Sequence, residues 1–170
     1  MDGGDGSDVY LINGSVDHAA AEINDSGFSG SDELRFASTT NGQTLTVYAA
    51  DRGLERISIG TGMGASAITT ATTALNIDAS LAPNALLISG NAGGNAFIGS
   101  ALIDTLDGGE GSDVYLVTDG VQHRAAEIND SGLSGNDELR FAATEEGLTL
   151  TVFSGDTGLE RVSKIGRAHV

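Results

Sequence analysis

The fold is decided by residues 90–116, which read GNAGGNAFI, GSALIDTLD and GGEGSDVYL when they are divided into pieces of nine residues. Each piece begins with glycine, has an aspartate or asparagine in sixth place and has a large apolar residue in eighth place. The sixth-place residues are Asn95, Asp104 and Asp113, and the eighth-place residues are Phe97, Leu106 and Tyr115. A fourth copy, residues 3–11, has Asp8 in sixth place and Tyr10 in eighth place.

The composition of the nine-residue piece has a physical explanation. Glycine lets the backbone adopt positive φ and turn tightly. Such a turn directs its carbonyl oxygens at one point, and the sixth-place carboxylate adds another oxygen. Oxygen ligands of this kind suit calcium, which takes about six to eight of them. The last three residues form a short strand with one apolar side chain on one face. The pattern therefore predicts stacked turns with metal sites in the gaps between them.

The nonapeptide resembles that of the RTX family, whose hemolysin-type calcium-binding repeat is Gly-Gly-x-Gly-x-Asp-x-U-x. Residues 3–11 and 108–116 match it at every defined position. Residues 99–107 lack the second and fourth glycines, and residues 90–98 have asparagine in place of the second glycine and of the aspartate. The resemblance implies an all-β fold, a right-handed parallel β-roll or β-solenoid. Consecutive pieces would lie on opposite sides, and turns two pieces apart would stack with Ca²⁺ between them.

The resemblance also implies a set of metal ligands. Turn 90–95 is expected to stack on turn 108–113, with an amide oxygen of Asn95 in place of a carboxylate. Asp104 would face the other side, with its partner turn at residues 118–120. Asp8 belongs to a turn whose preceding partner would lie before residue 1. The complete set of implied ligands is Gly3, Gly4, Gly6, Asp8, Gly90, Ala92, Asn95, Asp104, Gly108, Gly109, Gly111 and Asp113.

Further acidic residues follow the strict turns. Glu22, Asp25, Glu127 and Asp130 come 14 to 17 residues after the sixth-place aspartate of each strict turn, about one coil of the stack. They could close the last calcium site of each block, or they could lie in a solvated turn. Asp32 and Asp137 belong to looser nonapeptides and are further candidate ligands.

Composition excludes several classes of function. The chain carries 24 acidic against 8 basic residues, a net charge of −16, so nucleic acid is excluded as a partner. The acidity fits either a solvated surface or a calcium protein whose carboxylates repel one another until metal binds. Because many acids lie beside glycine turns, we favour the second. The absence of cysteine excludes disulfides and thiolate metal sites. No apolar run reaches about 18 residues, so no membrane span is expected.

A larger repeat lies over the small one. Residues 2–58 and 107–163 align at an offset of 105 without a gap, with 39 identities in 57 positions. Such self-similarity indicates a repeat array, and we expect the chain to be a fragment of a larger repeat protein. The predicted divisions are a partial first unit at 1–58, the end of that unit at 59–106, a partial second unit at 107–163 and a non-native tail at 164–170. The similarity to the first unit ends abruptly at Ser163, and the tail that follows resembles the translation of a sequencing-adapter read-through.

Strand patterns complete the expected organisation. Period-two alternation predicts strands at residues 9–12, 114–117, 45–48 and 150–153. Residues 63–82 are predicted to form further coils, because Leu75, Ile77, Leu86 and Ile88 keep alternating. A linker, or a short helix across residues 65–75, is the alternative.

Three functions are consistent with the sequence. The favoured one is a calcium-binding structural module of a secreted bacterial protein that is exported by type I secretion and folds on binding calcium outside the cell. Its partners would be neighbouring repeat units and a cell-surface or polysaccharide target. The second is a cadherin-like adhesin repeat, against which the nine-residue glycine pattern argues. The third is a non-catalytic module of a secreted protease, lipase or polysaccharide-acting enzyme. No catalytic motif is evident, so we expect no enzyme activity in this chain.

Overall fold

The protein is built almost entirely of short strands. The computed structural model describes residues 1–118, 123–143 and 145–165. Within these ranges there are eleven strands, one 3-10 turn at Ser15–Asp17 and no α-helix. The strands are β1 Val9–Asn13, β2 Glu33–Ala37, β3 Thr44–Thr46, β4 Arg56–Ile59, β5 Asn76–Asp78, β6 Leu87–Ser89, β7 Ala96–Ile98, β8 Thr105–Asp107, β9 Val114–Thr118, β10 Glu138–Ala142 and β11 Arg161–Ile165. No helix in the described part of the chain has the length and apolarity needed to cross a membrane.

The strands form two sheets, and every pair of these strands is parallel. The first sheet has the order β1-β2-β4-β6-β8, and the second has the order β11-β10-β9-β7-β5-β3. From β6 to β9 the strands alternate between the sheets, and they begin nine residues apart, at Leu87, Ala96, Thr105 and Val114. Each nine-residue piece therefore supplies one strand, and strands 18 residues apart are hydrogen-bonded neighbours. The parallel pairing differs from the antiparallel pairing of a cadherin-like sandwich.

The core is formed by two columns of inward-facing side chains. In each sheet the parallel register places one apolar residue directly beside the equivalent residue of the next strand. The column of the first sheet is Tyr10, Leu34, Ile57, Ile88 and Leu106, and the column of the second is Leu45, Ile77, Phe97, Tyr115 and Leu139. All ten are buried and belong to one hydrophobic cluster. The expectation that the eighth-place residues form the core is confirmed.

Equivalent strands of the two copies of the 105-residue repeat lie in different sheets. The first copy places β1, β2 and β4 in the first sheet, whereas the equivalent β9, β10 and β11 of the second copy lie in the second sheet. Between β4 and β9 the chain changes sheet five times. Because five is odd, equivalent turns of the two copies lie on opposite sides of the molecule.

One strand prediction is wrong, and one alternative is not observed. Residues 150–153 form no strand, since the equivalent β3 pairs with β5 and the 170 residues contain no second counterpart of β5. Residues 65–75 form no helix; Ile68 instead makes an antiparallel bridge with Thr61. The predicted coils at Leu75, Ile77, Leu86 and Ile88 are confirmed by β5, β6 and the burial of all four side chains. Of the predicted tail, Lys164 and Ile165 complete β11, and residues 166–170 lie outside the described residues.

Candidate metal centre

Each strict nonapeptide turn is covered by a second glycine turn from the following coil. In the second copy, turn 108–113 lies beneath residues 130–137. A Cβ atom on Gly132 would lie 1.9 Å from the carbonyl oxygen of Gly109, and one on Gly135 would lie 1.4 Å from that of Gly111. Only glycine allows such a close approach of the two backbones. The first copy repeats the contacts, with Gly27 against Gly4 and Gly30 against Gly6.

Side chains of the first turn hold the second turn in place. In the second copy the carboxylate of Asp107 accepts hydrogen bonds from the backbone N–H of Ser131, at 3.0 Å, and from its hydroxyl. The carboxylate of Glu110 accepts the N–H of Leu133 at 3.3 Å. Asp2 and Asp5 make the equivalent bonds in the first copy. The second turn is therefore fixed by charge-assisted hydrogen bonds to backbone donors.

The stacking of the two turns brings three aspartates together in each copy. The clusters are Asp8, Asp25 and Asp32 in the first copy and Asp113, Asp130 and Asp137 in the second. We call them the first and second triads. Within each triad one carboxylate oxygen from each residue lies within 4.8 Å of the others. All six side chains are buried except that of Asp8, which is half-buried.

Hydrogen bonds fix the orientation of the second-triad carboxylates. Asp137 Oδ1 accepts the backbone N–H of Asp113 at 2.8 Å, and Asp113 Oδ1 accepts that of Asn95 at 2.6 Å. Asp130 Oδ1 accepts the N–H of Gly132 at 2.8 Å, and its Oδ2 accepts the hydroxyl of Tyr115 at 2.5 Å. Each carboxylate thus accepts a hydrogen bond from a backbone N–H, so packing and hydrogen bonding assemble the cluster.

One oxygen in each triad has no hydrogen-bond partner. Asp113 is 0 % exposed, and its Oδ2 is buried without a donor. Asp8 Oδ2, at the equivalent position in the first copy, is also buried and unpaired. A buried, unpaired carboxylate oxygen beside two further carboxylates is unfavourable. A cation removes that cost, and the all-oxygen donor set fits a hard cation such as calcium.

The electrostatics of the second triad favour protonation when no cation is bound. Burial, together with the negative charges of Asp130, Asp137 and Asp107, raises the pKa of Asp113 to about 7. Burial and the charges of Asp130 and Glu160 likewise raise the pKa of Asp137 to about 6. Near neutral pH, protons and a cation therefore compete for the oxygens of Asp113 and Asp137.

One hydrogen bond crosses the gap between turns 90–95 and 108–113, from the backbone N–H of Asn95 to Asp113 Oδ1. The two turns stack as the resemblance implies, since a Cβ atom on Gly90 would lie 2.1 Å from the carbonyl oxygen of Gly108. The amide of Asn95 accepts the N–H of Asn91 at 2.9 Å and donates to the carbonyl of Leu75 at 2.9 Å. The carboxylates cluster in the next gap along the stack, between turn 108–113 and residues 130–137.

Asp104 and Ala92, two further predicted ligands, make their contacts outside the triads. Asp104 is buried, and its carboxylate accepts the N–H groups of Leu86 at 2.8 Å and Ser100 at 2.5 Å. Its expected partner turn at residues 118–120 lies mostly outside the described residues. The N–H of Ala92 donates to the carbonyls of Thr69 and Ala71, both at 3.0 Å.

Glu22 and Glu127 belong to a different arrangement, which we call the histidine clasp. In the second copy His123 Nδ1 lies 3.2 Å from Glu127 Oε2, and its Nε2 lies 2.9 Å from Asp156 Oδ2. In the first copy His18 contacts Glu22 at 3.2 Å and Asp51 at 3.0 Å. Carboxylates only accept hydrogen bonds, so the protonated imidazole satisfies both contacts. The signal in the sequence is the His-x-x-x-Glu spacing, which recurs at the same place in both copies.

A second missed group lies on the outer face of the first sheet. Arg35 is fully buried, and its guanidinium donates to Glu33 at 2.6 Å and to the carbonyls of Gly62 and Gly64, both at 2.8 Å. These bonds hold residues 60–64 against the sheet. The pair Glu33 and Arg35 recurs as Glu138 and Arg140, but nothing in the local sequence indicated that it would bind a loop.

Comparison with known proteins adds nothing to this geometry. No protein-family model, no curated protein and no solved structure matches the chain.

The pKa of Asp113 predicts how the metal-free protein responds to pH. Its folded-state pKa is raised above the ordinary value of 3.8, so its stabilising contribution is present below about pH 4 and is lost as pH rises through about 7. In chelator, the folded fraction of the chain, measured by circular dichroism, should be lower at pH 8 than at pH 5. Asp113→Asn should flatten this dependence and increase stability at pH 8. A metal-free protein whose stability is the same at both pH values would contradict the assignment.

Removing the histidine of the clasp should lower stability, whereas Asp113→Asn should raise it. Burial opposes the charge on His123, but the hydrogen bonds to Glu127 and Asp156 outweigh it and raise its pKa above the ordinary 6.5. The clasp therefore contributes fully below about pH 6.5, and its contribution is lost as pH rises through the folded-state pKa. His123→Gln should lower the free energy of unfolding by about 1–3 kcal/mol at pH 6. The loss should shrink at pH 8.5, and Glu145→Gln, at an exposed position, serves as the control.

Proposed function

We propose that this chain is a calcium-binding structural repeat module of a secreted RTX-type protein, with the architecture of a right-handed parallel β-roll or β-solenoid. Support for the architecture comes from the strands that alternate between two parallel sheets at nine-residue intervals. Support for the activity comes above all from the second triad. There the Asp113 carboxylate is fully buried, one of its oxygens has no hydrogen-bond partner, and the carboxylates of Asp130 and Asp137 lie beside it.

Calcium is the ion that this donor set favours. The triads supply carboxylate oxygens only, which are hard ligands, and the chain has no cysteine. Oxygens bound to one calcium at about 2.4 Å lie up to about 4.8 Å apart, and the triad oxygens fall within that limit. Magnesium demands near-ideal octahedral geometry and gives up its water reluctantly, so a cluster of buried protein carboxylates suits it poorly.

Calcium would act on the folding equilibrium. The buried carboxylates repel one another in the folded state and separate on unfolding, so the metal-free fold is penalised. An ion that binds only the folded state stabilises it by mass action. In a bacterium that keeps cytosolic calcium low, the chain would stay unfolded for type I export and fold outside, at the cell surface or in the medium. Neighbouring repeat units would continue the stack, and a surface glycan or cell-surface target would be met by the assembled array.

This proposal assigns the chain a binding and structural role and no catalytic one. A non-catalytic module of a secreted protease, lipase or polysaccharide-acting enzyme would use the same sites in the same way. The cadherin-like repeat is disfavoured because its sheets are antiparallel, whereas the strands here pair in parallel.

The proposal predicts two calcium ions for each chain, one for each triad. Isothermal titration calorimetry of the 170-residue chain at pH 7.5 should detect two sites for calcium and much weaker binding of magnesium. Circular dichroism during the same titration should show a gain of β-structure. Each single substitution Asp25→Asn or Asp130→Asn should remove or strongly weaken one site and leave the other.

Asp17→Asn is the matched control, because Asp17 is exposed and lies outside both triads. It makes the same change of charge, so any general effect of net charge will appear in it. A chain that binds no calcium at millimolar concentration, or that loses binding equally with Asp17→Asn, would overturn the proposal. A chain with its full β-structure in chelator would show that the turns fold without the ion.

A further inference from the structure

Each triad has a tyrosine at its edge. Tyr10 and Tyr115 occupy the eighth place of the two strict nonapeptides, and their rings are buried in the core. The hydroxyl of Tyr115 accepts the backbone N–H of Gly108 at 2.7 Å and donates to Asp130 Oδ2. The hydroxyl of Tyr10 accepts the N–H of Gly3 at 2.8 Å and donates to Asp25 Oδ2. The same three-part contact is therefore present in both copies.

The tyrosines occur where a triad follows and not elsewhere among the four nonapeptides. The two degenerate nonapeptides carry Phe97 and Leu106 in eighth place, and their sixth-place residues Asn95 and Asp104 belong to neither triad. Phe97 packs against Tyr115 with ring centroids 5.8 Å apart and planes at 29°. The same core position thus accepts a ring without a hydroxyl. Core packing alone gives no reason for the hydroxyl at the strict copies.

The hydroxyl fixes the one carboxylate that the strict turn cannot position by itself. Asp113 is in the strict turn, and Asp137 is held by the N–H of Asp113. Asp130 comes from a loop, and its Oδ1 is held only by Gly132, two residues further along the same loop. The hydroxyl of Tyr115 is the contact that ties Asp130 to the strand below it. A phenol has one proton to donate, and here the acceptor is Asp130, so the plane of that carboxylate is set.

We propose that Tyr10 and Tyr115 are positioning residues for the ion sites, aligning the loop carboxylates of Asp25 and Asp130 with the rest of each triad. The proposal rests on the calcium-binding function proposed above. Its consequence is that the ion site depends on the packing of the same strand, because the ring lies in the core and the hydroxyl holds a ligand. An ion is then bound well only where the second coil is stacked on the first.

The test removes the hydroxyl and leaves the ring. Tyr115→Phe and Tyr10→Phe are made in the full chain, with Tyr48→Phe as the matched control, since Tyr48 packs on His18 and contacts neither triad. Calcium titration should show one of the two sites weakened by about ten- to a hundredfold in each of the first two variants, as expected for the loss of a hydrogen bond to a charged group. Tyr48→Phe should leave both sites unchanged. Calcium binding in Tyr115→Phe that equals the wild type would overturn the proposal.

A double-mutant cycle separates positioning from a general loss of packing. If Tyr115 acts through Asp130, adding Tyr115→Phe to Asp130→Asn should weaken binding further by less than about threefold, because the partner is already altered. Two substitutions whose effects multiply in full would show that the hydroxyl acts independently of Asp130, and the proposal would fail. Circular dichroism at saturating calcium confirms that each variant reaches the same β-structure.

Direct observation of the hydroxyl proton distinguishes failure of this inference from failure of the proposed function. Proton NMR at pH 6, in whichever of chelator and calcium gives the full β-structure by circular dichroism, should show a slowly exchanging hydroxyl proton for Tyr115 that is lost in Asp130→Ala and kept in Asp17→Ala. If that proton is present but the wild type binds no calcium, the calcium function fails and the hydroxyl link stands. If calcium binds but the proton is absent and Tyr115→Phe binds normally, the positioning role fails and the calcium function stands.

Discussion

The in-register stacking of parallel strands is the constraint on which the rest of the structure depends. Phe97, Tyr115 and Leu139 lie side by side because each is the inward-facing residue of its strand. A shift of one residue would turn such a side chain outward, so burial fixes the register strongly. In each piece the sixth-place residue lies two positions before the inward-facing residue. The in-register pairing of the inward-facing residues therefore also aligns the sixth-place residues of neighbouring strands. The stacking of Asp113 and Asp137 is thus a consequence of packing.

Burial of the apolar side chains therefore opposes the electrostatic repulsion between the carboxylates. Apolar burial is worth about 1.5–3 kcal/mol for each large side chain, and it brings together carboxylates that would separate in an unfolded chain. Successive turns resolve the conflict differently. In turn 90–95, Asn95 carries a neutral amide, which bonds to Asn91 of its own turn and to the carbonyl of Leu75. In turn 108–113, Asp113 carries a carboxylate that lies beside Asp130 and Asp137 and has one unpaired oxygen, and a cation or protons must supply the missing positive charge.

Outside the triads the protein pairs its buried charges with its own groups. Arg35 pairs with Glu33 and with loop carbonyls, and His18 and His123 each lie between two carboxylates. These arrangements need no external ion. The clasp at His123 is strengthened in mild acid, because its hydrogen bonds to Glu127 and Asp156 outweigh burial and raise the pKa of His123, whereas Asp113 and Asp137 of the second triad become protonated there. The second copy therefore contains two sets of buried acids with opposite responses to pH, because one set faces a base and the other faces only acids.

The sequence by itself determined the strand spacing, the inward-facing residues and the glycine turns, since a nine-residue period with one apolar position admits one way to bury that residue. It also nominated Asp8, Asp113 and, less directly, Asp25, Asp32, Asp130 and Asp137. Only the tertiary structure decided which of these meet, because the loops between β1 and β2 and between β9 and β10 have no fixed period. It likewise decided that Glu22 and Glu127 bind histidine, that the Tyr115 hydroxyl reaches Asp130, and that the two copies face opposite sides. Those outcomes depend on how many times the chain crosses between sheets, which no local pattern of residues records.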